Sequence, residues 1–274
     1  MTQAQKAERF RALHRREGAF VIPNPWDVGS ARLLAALGFE ALATTSSGFA
    51  NSLGRTDGEV TLDEKLEHCR ALSAATEVPV SADLENCFAD DPVTAAETIT
   101  LAAQAGVVGG SIEDYTGDDS KPIYDLGLAV ERVAAAVEAA RRLPFPFTLT
   151  ARAENLLHGR NDLDDTIERL MAFEAAGADV LYAPGLETLD QVSEVTRAVG
   201  KPVNVLAPPL RAATLAQLAE AGAKRVSIGG ALCRAAFSPV IRAAVAMRDS
   251  GSFGWTANLV SSAEIERLFR KLGT

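Results

Sequence analysis

Short apolar runs recur along this chain, separated by longer stretches in which apolar positions follow a different period. The runs are AFVIPNP, EALATTSSG, VPVSADLE, VGGSIED, FTLTARAEN, ADVLYAPG, PVNVLAPP and KRVSIGG. Within them the apolar residues are continuous rather than alternating, the pattern of strands buried on both faces. The intervening stretches, such as LDEKLEHCRALSAAT, LAVERVAAAVEAARRL and LDDTIERLMAFEAAG, place their apolar residues at helical spacing. Several of these helices end alike, before VVGGSIED, ADVLYAP and AKRVSIG, with a glycine that suits a helix C-cap and a strand starting a few residues later. A strand-then-helix unit repeated about eight times predicts an α/β fold, a (β/α)8 TIM barrel; a doubly wound open sheet is the alternative. The first residues predict a helix preceding the barrel. The segment from about Gly251, with SSAEIERLFRKL, exceeds a bare barrel and predicts an extra helical piece able to pack on a neighbour. All of residues 1–274 read as a single barrel domain.

Composition narrows the clients. With a net charge of −9 and no basic stripe, nucleic acid is an improbable partner and small molecules are favoured. No apolar run approaches the roughly 18 residues a membrane span requires. The N-terminal MTQAQKAERFRALHRREG has no apolar core of a secretory signal. Cys69, Cys87 and Cys233 are scattered without CxxC spacing, which fits a reducing, cytoplasmic setting.

Barrel enzymes carry their chemistry at the C-terminal ends of the strands. Read along the chain, those ends offer Asn24 and Trp26, Ser46-Ser47-Gly48, Asp83 and Glu85, Glu113 and Asp114, Arg152 and Glu154, Pro184, Asn204, and Gly229-Gly230. In an extended strand Asp83 and Glu85 would face the same way. With Glu113 from the next strand they form a set of hard oxygen donors suited to Mg²⁺ or Mn²⁺; a hydrogen-bonded charge network is the plainer alternative. Arg152 is a planar donor for a substrate anion, or else a salt-bridge partner of the same acids. Ser46, Ser47 and Gly48 could cradle an anionic oxygen, or form a plain turn. His158, in the loop after the fifth strand, can reach the mouth; His14 and His68 fall in helices. Gly229-Gly230 suits either a phosphate grip or close strand-to-helix packing. A Schiff-base mechanism is poorly served, since Lys201 and Lys224 begin their strands and Lys6, Lys65 and Lys271 fall in helices, leaving only Lys121, in a loop.

These stretches, in this order, resemble the isocitrate lyase/phosphoenolpyruvate mutase superfamily: NPWDVGSARLLAALGFEALATTSSGFANSLGRTDG, VSADLENCFADDP, GGSIED, TARAEN and AGADVLYAPG. The resemblance implies a (β/α)8 barrel whose last helix is exchanged between subunits, in homodimers or homotetramers. It implies Asp83 as the direct Mg²⁺ ligand, with Glu85, Glu113 and Asp57 holding the ion through waters. Ser46, Ser47 and Gly48 would bind the carboxylate and oxo oxygens of a small α-oxo acid, and Arg152 its outer anion. The substrate-binding set is completed by Asn204 and His158, and the catalytic set is Asp57, Glu113 and Arg152. The chain departs from the lyases in the loop DYTGDDSKPIYD, which lacks their Lys-Lys-Cys-Gly-His stretch, and near Pro184, where their glutamate is missing. It departs from the mutases at Tyr115, where they carry a lysine. What survives implies a metal-stabilised enolate core, suited to splitting a C–C bond of an oxaloacetate-like acid. A phosphonate mutase or hydrolase is one alternative, and a catalytically silent metabolite-binding protein another.

Overall fold

The computed structural model describes residues 1–271. Eight strands, β1 (Phe20–Ile22), β2 (Leu42–Ala43), β3 (Val80–Asp83), β4 (Gly109–Glu113), β5 (Thr148–Arg152), β6 (Val180–Tyr182), β7 (Val203–Leu206) and β8 (Arg225–Ser227), form one sheet. They pair in parallel in the order β1-β8-β7-β6-β5-β4-β3-β2. Between β1 and β2 the ladder gives way to two bonds, from the Ala43 amide to the Pro23 carbonyl at 3.1 Å and from Asn24 Nδ2 to the Thr44 carbonyl at 3.0 Å. The sheet therefore closes on itself, and the consecutive order rules out a doubly wound sheet, which reverses at a switch point.

The helices are α1 (Gln3–Arg15), α2 (Val28–Ala36), α3 (Ser46–Ser52), α4 (Leu62–Ala75), α5 (Pro92–Gln104), α6 (Leu126–Arg141), α7 (Leu163–Ala175), α8 (Leu189–Ala198), α9 (Leu215–Glu220), α10 (Ala231–Ser250) and α11 (Ser262–Arg270). Most begin at a residue whose side chain accepts the third helical amide: Thr2, Asp27, Thr45, Thr61, Asp91, Asp162, Thr188, Thr214 and Ser261. These caps fix where each strand-to-helix loop ends, and so where the barrel mouth lies. The main core lies between sheet and helices, where Leu149, Leu181 and Val205 meet Ile99, Leu170 and Val195.

α1 stoppers the opposite end. Phe10, Leu13, Phe20 and Ile22 form a separate buried cluster there. Gly109 makes room for it: a Cβ at that position would come within 2.9 Å of the Phe10 ring and 2.8 Å of the Thr148 carbonyl. The lumen above this plug is polar, walled by Ser81, Ser111, Thr150, Asn204, Arg225 and Ser227, all buried. Branched apolar side chains fill this space in most barrels.

After β8, α10 runs for 20 residues with only Cys233 and Ala243 buried, and stops at Gly251 in the left-handed conformation. The chain then returns so that α11 lies on α2, where Arg32 donates to the Phe269 carbonyl at 2.8 Å. No helix among the described residues is long and apolar enough to cross a membrane.

Candidate active site

A cavity of about 160 Å³ opens at the C-terminal ends of the strands and reaches down into the lumen. Ser46, Ser47, Asp57, Asp83, Arg152, Tyr182, Pro184, Asn204, Gly229 and Gly230 are among its walls. Asp83 sits at the end of β3 with both oxygens engaged. Oδ2 accepts the Ser46 amide at 3.0 Å; Oδ1 accepts Arg152 Nη1 at 2.8 Å and the Ser111 hydroxyl at 3.4 Å. Arg152, at the end of β5, also meets Glu113 Oε2 at 3.1 Å and Glu154 Oε1 at 2.7 Å, with its guanidinium 5.1 Å from the Tyr182 ring centroid. Both readings of Arg152 thus meet in one side chain: it lines the cavity and is already matched by acids from three strand ends.

The electrostatics follow from that crowding. Burial alone would raise the Asp83 carboxyl, but Arg152 and Lys65 outweigh it and hold it below its ordinary value. Glu113 goes the other way. Burial, with the nearby charges of Glu154, Asp83 and Glu85, pushes it well above the usual carboxylate range despite Arg152.

Glu85 requires a correction. The strand does not stay extended to residue 85: β3 ends at Asp83, Leu84 drops into the core, and Glu85 takes a φ of +53°. Its carboxylate lies 3.5 Å from Lys65 Nζ, which is fully buried in α4. Burial pushes the Glu85 carboxyl up to about 7, with Asp83 and Asp57 adding to the rise and Lys65 opposing it. Beyond Asp83 the chain leaves the strand in a tight bend that puts three non-glycine residues, Glu85, Cys87 and Phe88, at positive φ.

The serine segment is neither a plain turn nor an open cradle. Ser46 to Gly48 are the first turn of α3, capped by Thr45, whose hydroxyl accepts the Gly48 amide at 3.3 Å. With the Ser46 amide on Asp83, two of the three backbone donors are already engaged; the hydroxyls of Ser46 and Ser47 face the cavity, and Gly48 is buried behind them. Gly229-Gly230 resolves similarly. Asn24 Oδ1 accepts the amides of Ile228 and Gly229 at 3.0 Å each, and a Cβ at Gly230 would lie 2.4 Å from the Ser47 hydroxyl. Gly230 thus serves close packing, while Gly229 takes a positive φ of +52°.

His158 stands outside the cavity wall. It stacks on Tyr115, ring centroids 3.8 Å apart, at the base of a flap pinned by the Thr116 amide on the Pro122 carbonyl. Asn204 does line the cavity, donating to Ser227 Oγ at 2.9 Å. Asp57 lies exposed at the rim, and Cys87 is buried with its thiol pushed up to about 12. Sequence reasoning set Lys65 aside as a helix residue and passed over Arg225. A charged residue on the buried face of an apolar pattern was the available signal for both.

Among the described residues no three His, Cys, Asp or Glu side chains close on one point as a ready-made metal cage. What the mouth does offer is an excess of hard oxygen donors. Glu85 Oε1 is buried without a hydrogen-bond partner, and Glu85 and Glu113 both resist ionisation. That donor set fits an ion such as Mg²⁺, which takes one or two carboxylates and keeps most of its waters.

Eight parallel strands closed on themselves, with an acidic and arginine-bearing mouth above a polar lumen, define a (β/α)8 barrel with a cavity at the strand ends. The family model described as phosphoenolpyruvate phosphomutase matches residues 10–248, and the chain belongs to that family, within the isocitrate lyase/phosphoenolpyruvate mutase superfamily. A solved putative lyase/mutase from Burkholderia cenocepacia superposes with a TM-score of 0.94 at 60% identity, covering 97% of this chain and 96% of that one. An uncharacterized protein of Mycobacterium tuberculosis is 34% identical over 88% of this chain and 89% of its own length. An oxaloacetate decarboxylase of Rhodopseudomonas palustris is 27% identical over 77% of this chain and 73% of its own.

Proposed function

We propose that this enzyme splits a C–C bond of a small α-oxo dicarboxylate of the oxaloacetate type, by decarboxylation or hydrolysis, with a divalent cation at Asp83. The observation that carries the reading is the fixing of the Asp83 carboxylate, between the first amide of α3 and Arg152, at the wall of a cavity sized for a few-carbon acid. A bound Mg²⁺ would supply an electrophile for the negative charge that develops on the oxo oxygen. The chain's own residues do the rest. Ser46 and Arg152 hold Asp83 in one orientation, and Tyr182 and Pro184 wall the cavity on the far side. Glu113, which holds its proton more readily than an ordinary glutamate, stands beside Arg152 as a proton store.

The flap between Tyr115 and Tyr124 supports a simple bond fission over an isocitrate-type retro-aldol reaction. It carries neither Cys nor His; Tyr115 donates to Asp119 within it at 2.9 Å, and Lys121 to Asp125, the residue just before α6, at 3.2 Å. The Cys and His that isocitrate-cleaving relatives carry in this loop are therefore missing from the flap. The test is oxaloacetate decarboxylation measured against the Asp83→Ala protein at equal Mg²⁺, because free metal catalyses this reaction slowly. We expect Asp83→Ala to lower the rate by two orders of magnitude or more, as for loss of a catalytic metal site (about 3 kcal/mol or more). Glyoxylate release from isocitrate would overturn the reading; turnover of phosphonopyruvate with none of oxaloacetate would replace it with P–C chemistry. Tight binding of these acids without turnover would make the chain a metabolite-binding protein.

A further inference from the structure

Arg225 takes no part in the reading above. It opens β8, and its side chain, 5% exposed, lines the same cavity as Asp83 and Arg152. Its partners are neutral: Nε donates to Asn204 Oδ1 at 2.8 Å and Nη2 to Thr150 Oγ1 at 3.1 Å. Nη1 is buried with no hydrogen-bond partner, and no carboxylate of the described residues forms a salt bridge to Arg225.

The other buried arginines are provided for. Arg152 meets Asp83, Glu113 and Glu154; Arg169 meets Asp114 and Asp165; Arg132 donates to the carbonyls of Asn86, Ala89 and Asp90. A desolvated cation whose hydrogen-bond partners are one hydroxyl and one amide, with the buried His14 near enough to feel its charge, is costly to keep. Burial pushes the Arg225 guanidinium down to about 10, with Tyr182 opposing the fall and Arg152 adding to it, so it remains charged at neutral pH. A packed core gains nothing from such a group, whereas a site for an anion does.

Its height in the barrel is set by strand register. Thr150, which Arg225 touches, pairs with Ser111, and Ser111 pairs with Asp83 and donates to its carboxylate. Thr150 lies two residues before Arg152 on β5, so the guanidinium sits one inward-facing layer below the acidic rim. Arg152 is matched by three carboxylates and is a poor grip for a further anion; Arg225, which lines the same cavity, has no carboxylate partner and keeps one nitrogen without a hydrogen bond.

We propose that Arg225, with Asn204, Thr150 and Ser227 around it, is a deep carboxylate subsite that takes the second carboxylate of a dicarboxylate whose other end lies at Asp83. The guanidinium fork suits the two oxygens of a carboxylate, and the neutral wall leaves its charge for the ligand. This deepens the functional reading and rests on it, since it fixes which end of the substrate points into the lumen. It also makes Arg225 a specificity-determining residue that selects for a second acid group.

The experiment is calorimetry on the full chain with two probes, oxalate and malate, each with Mg²⁺ and with EDTA. Oxalate is short enough to occupy the Asp83 end alone; malate carries a second carboxylate for the lumen. Arg225→Gln is expected to weaken malate by tenfold or more (about 1.4 kcal/mol) while leaving oxalate within twofold. Arg225→Lys, which keeps the charge but loses the fork, should show the same selectivity to a smaller degree, and it serves where the Gln variant fails to fold. An equal loss for both probes, no loss for either, or no malate binding by the unaltered chain would overturn the proposal. Failure of the metal reading looks different: the unaltered chain would bind oxalate equally with Mg²⁺ and with EDTA, whatever Arg225 does.

Discussion

At the scale of single residues, the mouth is governed by where cations stand among acids. Arg152 and Lys65 divide the carboxylates between them: Arg152 holds Asp83, Glu113 and Glu154, and Lys65 faces Glu85. Glu85 gives a pH signature. Its carboxyl titrates near 4.5 in the unfolded chain and at about 7 in the fold, so between those values the folded state holds a proton that the unfolded state has lost. The stability linked to Glu85 is therefore full below about pH 4.5 and is lost as pH rises through 7. Melting curves in EDTA at pH 5 and pH 8 should show this fall, and Glu85→Gln should reduce it. An unchanged pH dependence in that variant would place the titration elsewhere. Lys65 shows how a helix residue reaches the site: α4 packs against the sheet with Lys65 on its buried face, under the Phe49 ring at 5.8 Å.

At the scale of elements, two helices set the limits of the cavity. α3 supplies its lip, because the amide of its first residue holds Asp83 and its second serine lies against Gly230. α1 supplies the floor. Phe10 fills the lower lumen where Gly109 leaves room, and it is fully buried. Phe10→Ala should destabilise the fold by about 3–5 kcal/mol, the cost of removing a buried aromatic and leaving a cavity. Urea unfolding reads this directly, through a lower midpoint with little change in slope; a loss under 1 kcal/mol would mean that α1 is not integral to the barrel.

At the scale of the whole molecule, α10 is the element left without cover. Val240, Ile241 and Val245 are 64%, 62% and 42% exposed on it, and Phe253, Leu259 and Val260 continue the apolar surface into the tail. A surface of this kind marks association. We expect a homodimer or homotetramer, visible by light scattering as a multiple of the 28.9 kDa chain, and Ile241→Lys should shift the population toward the monomer. A monomer at tens of micromolar in the unaltered protein would contradict this.

The eight-fold strand-and-helix alternation was legible in the sequence because it rests on local causes: continuous apolar runs, helical periodicity and glycine stops. So was the roster of strand-end residues, since barrel geometry puts each strand's last residue on one rim. Two neighbours in sequence showed the limit. Asp83 and Glu85 read as a pair on one extended strand, yet the strand ends at Asp83 and Glu85 takes a positive φ beside the buried Lys65, a break that no local pattern announces. Arg152 read as either substrate grip or salt bridge, and only the convergence of β3, β4 and β5 reveals how many acids it meets. Arg225 begins its strand, where a sequence reader looks last, but the tilt of the strands and the length of its side chain carry the charge across the lumen to Thr150. Local propensity and pattern determined the elements and their order. The pairing of charges among residues far apart in the chain was decided by closure of the barrel, which alone sets the distances on which electrostatics depends.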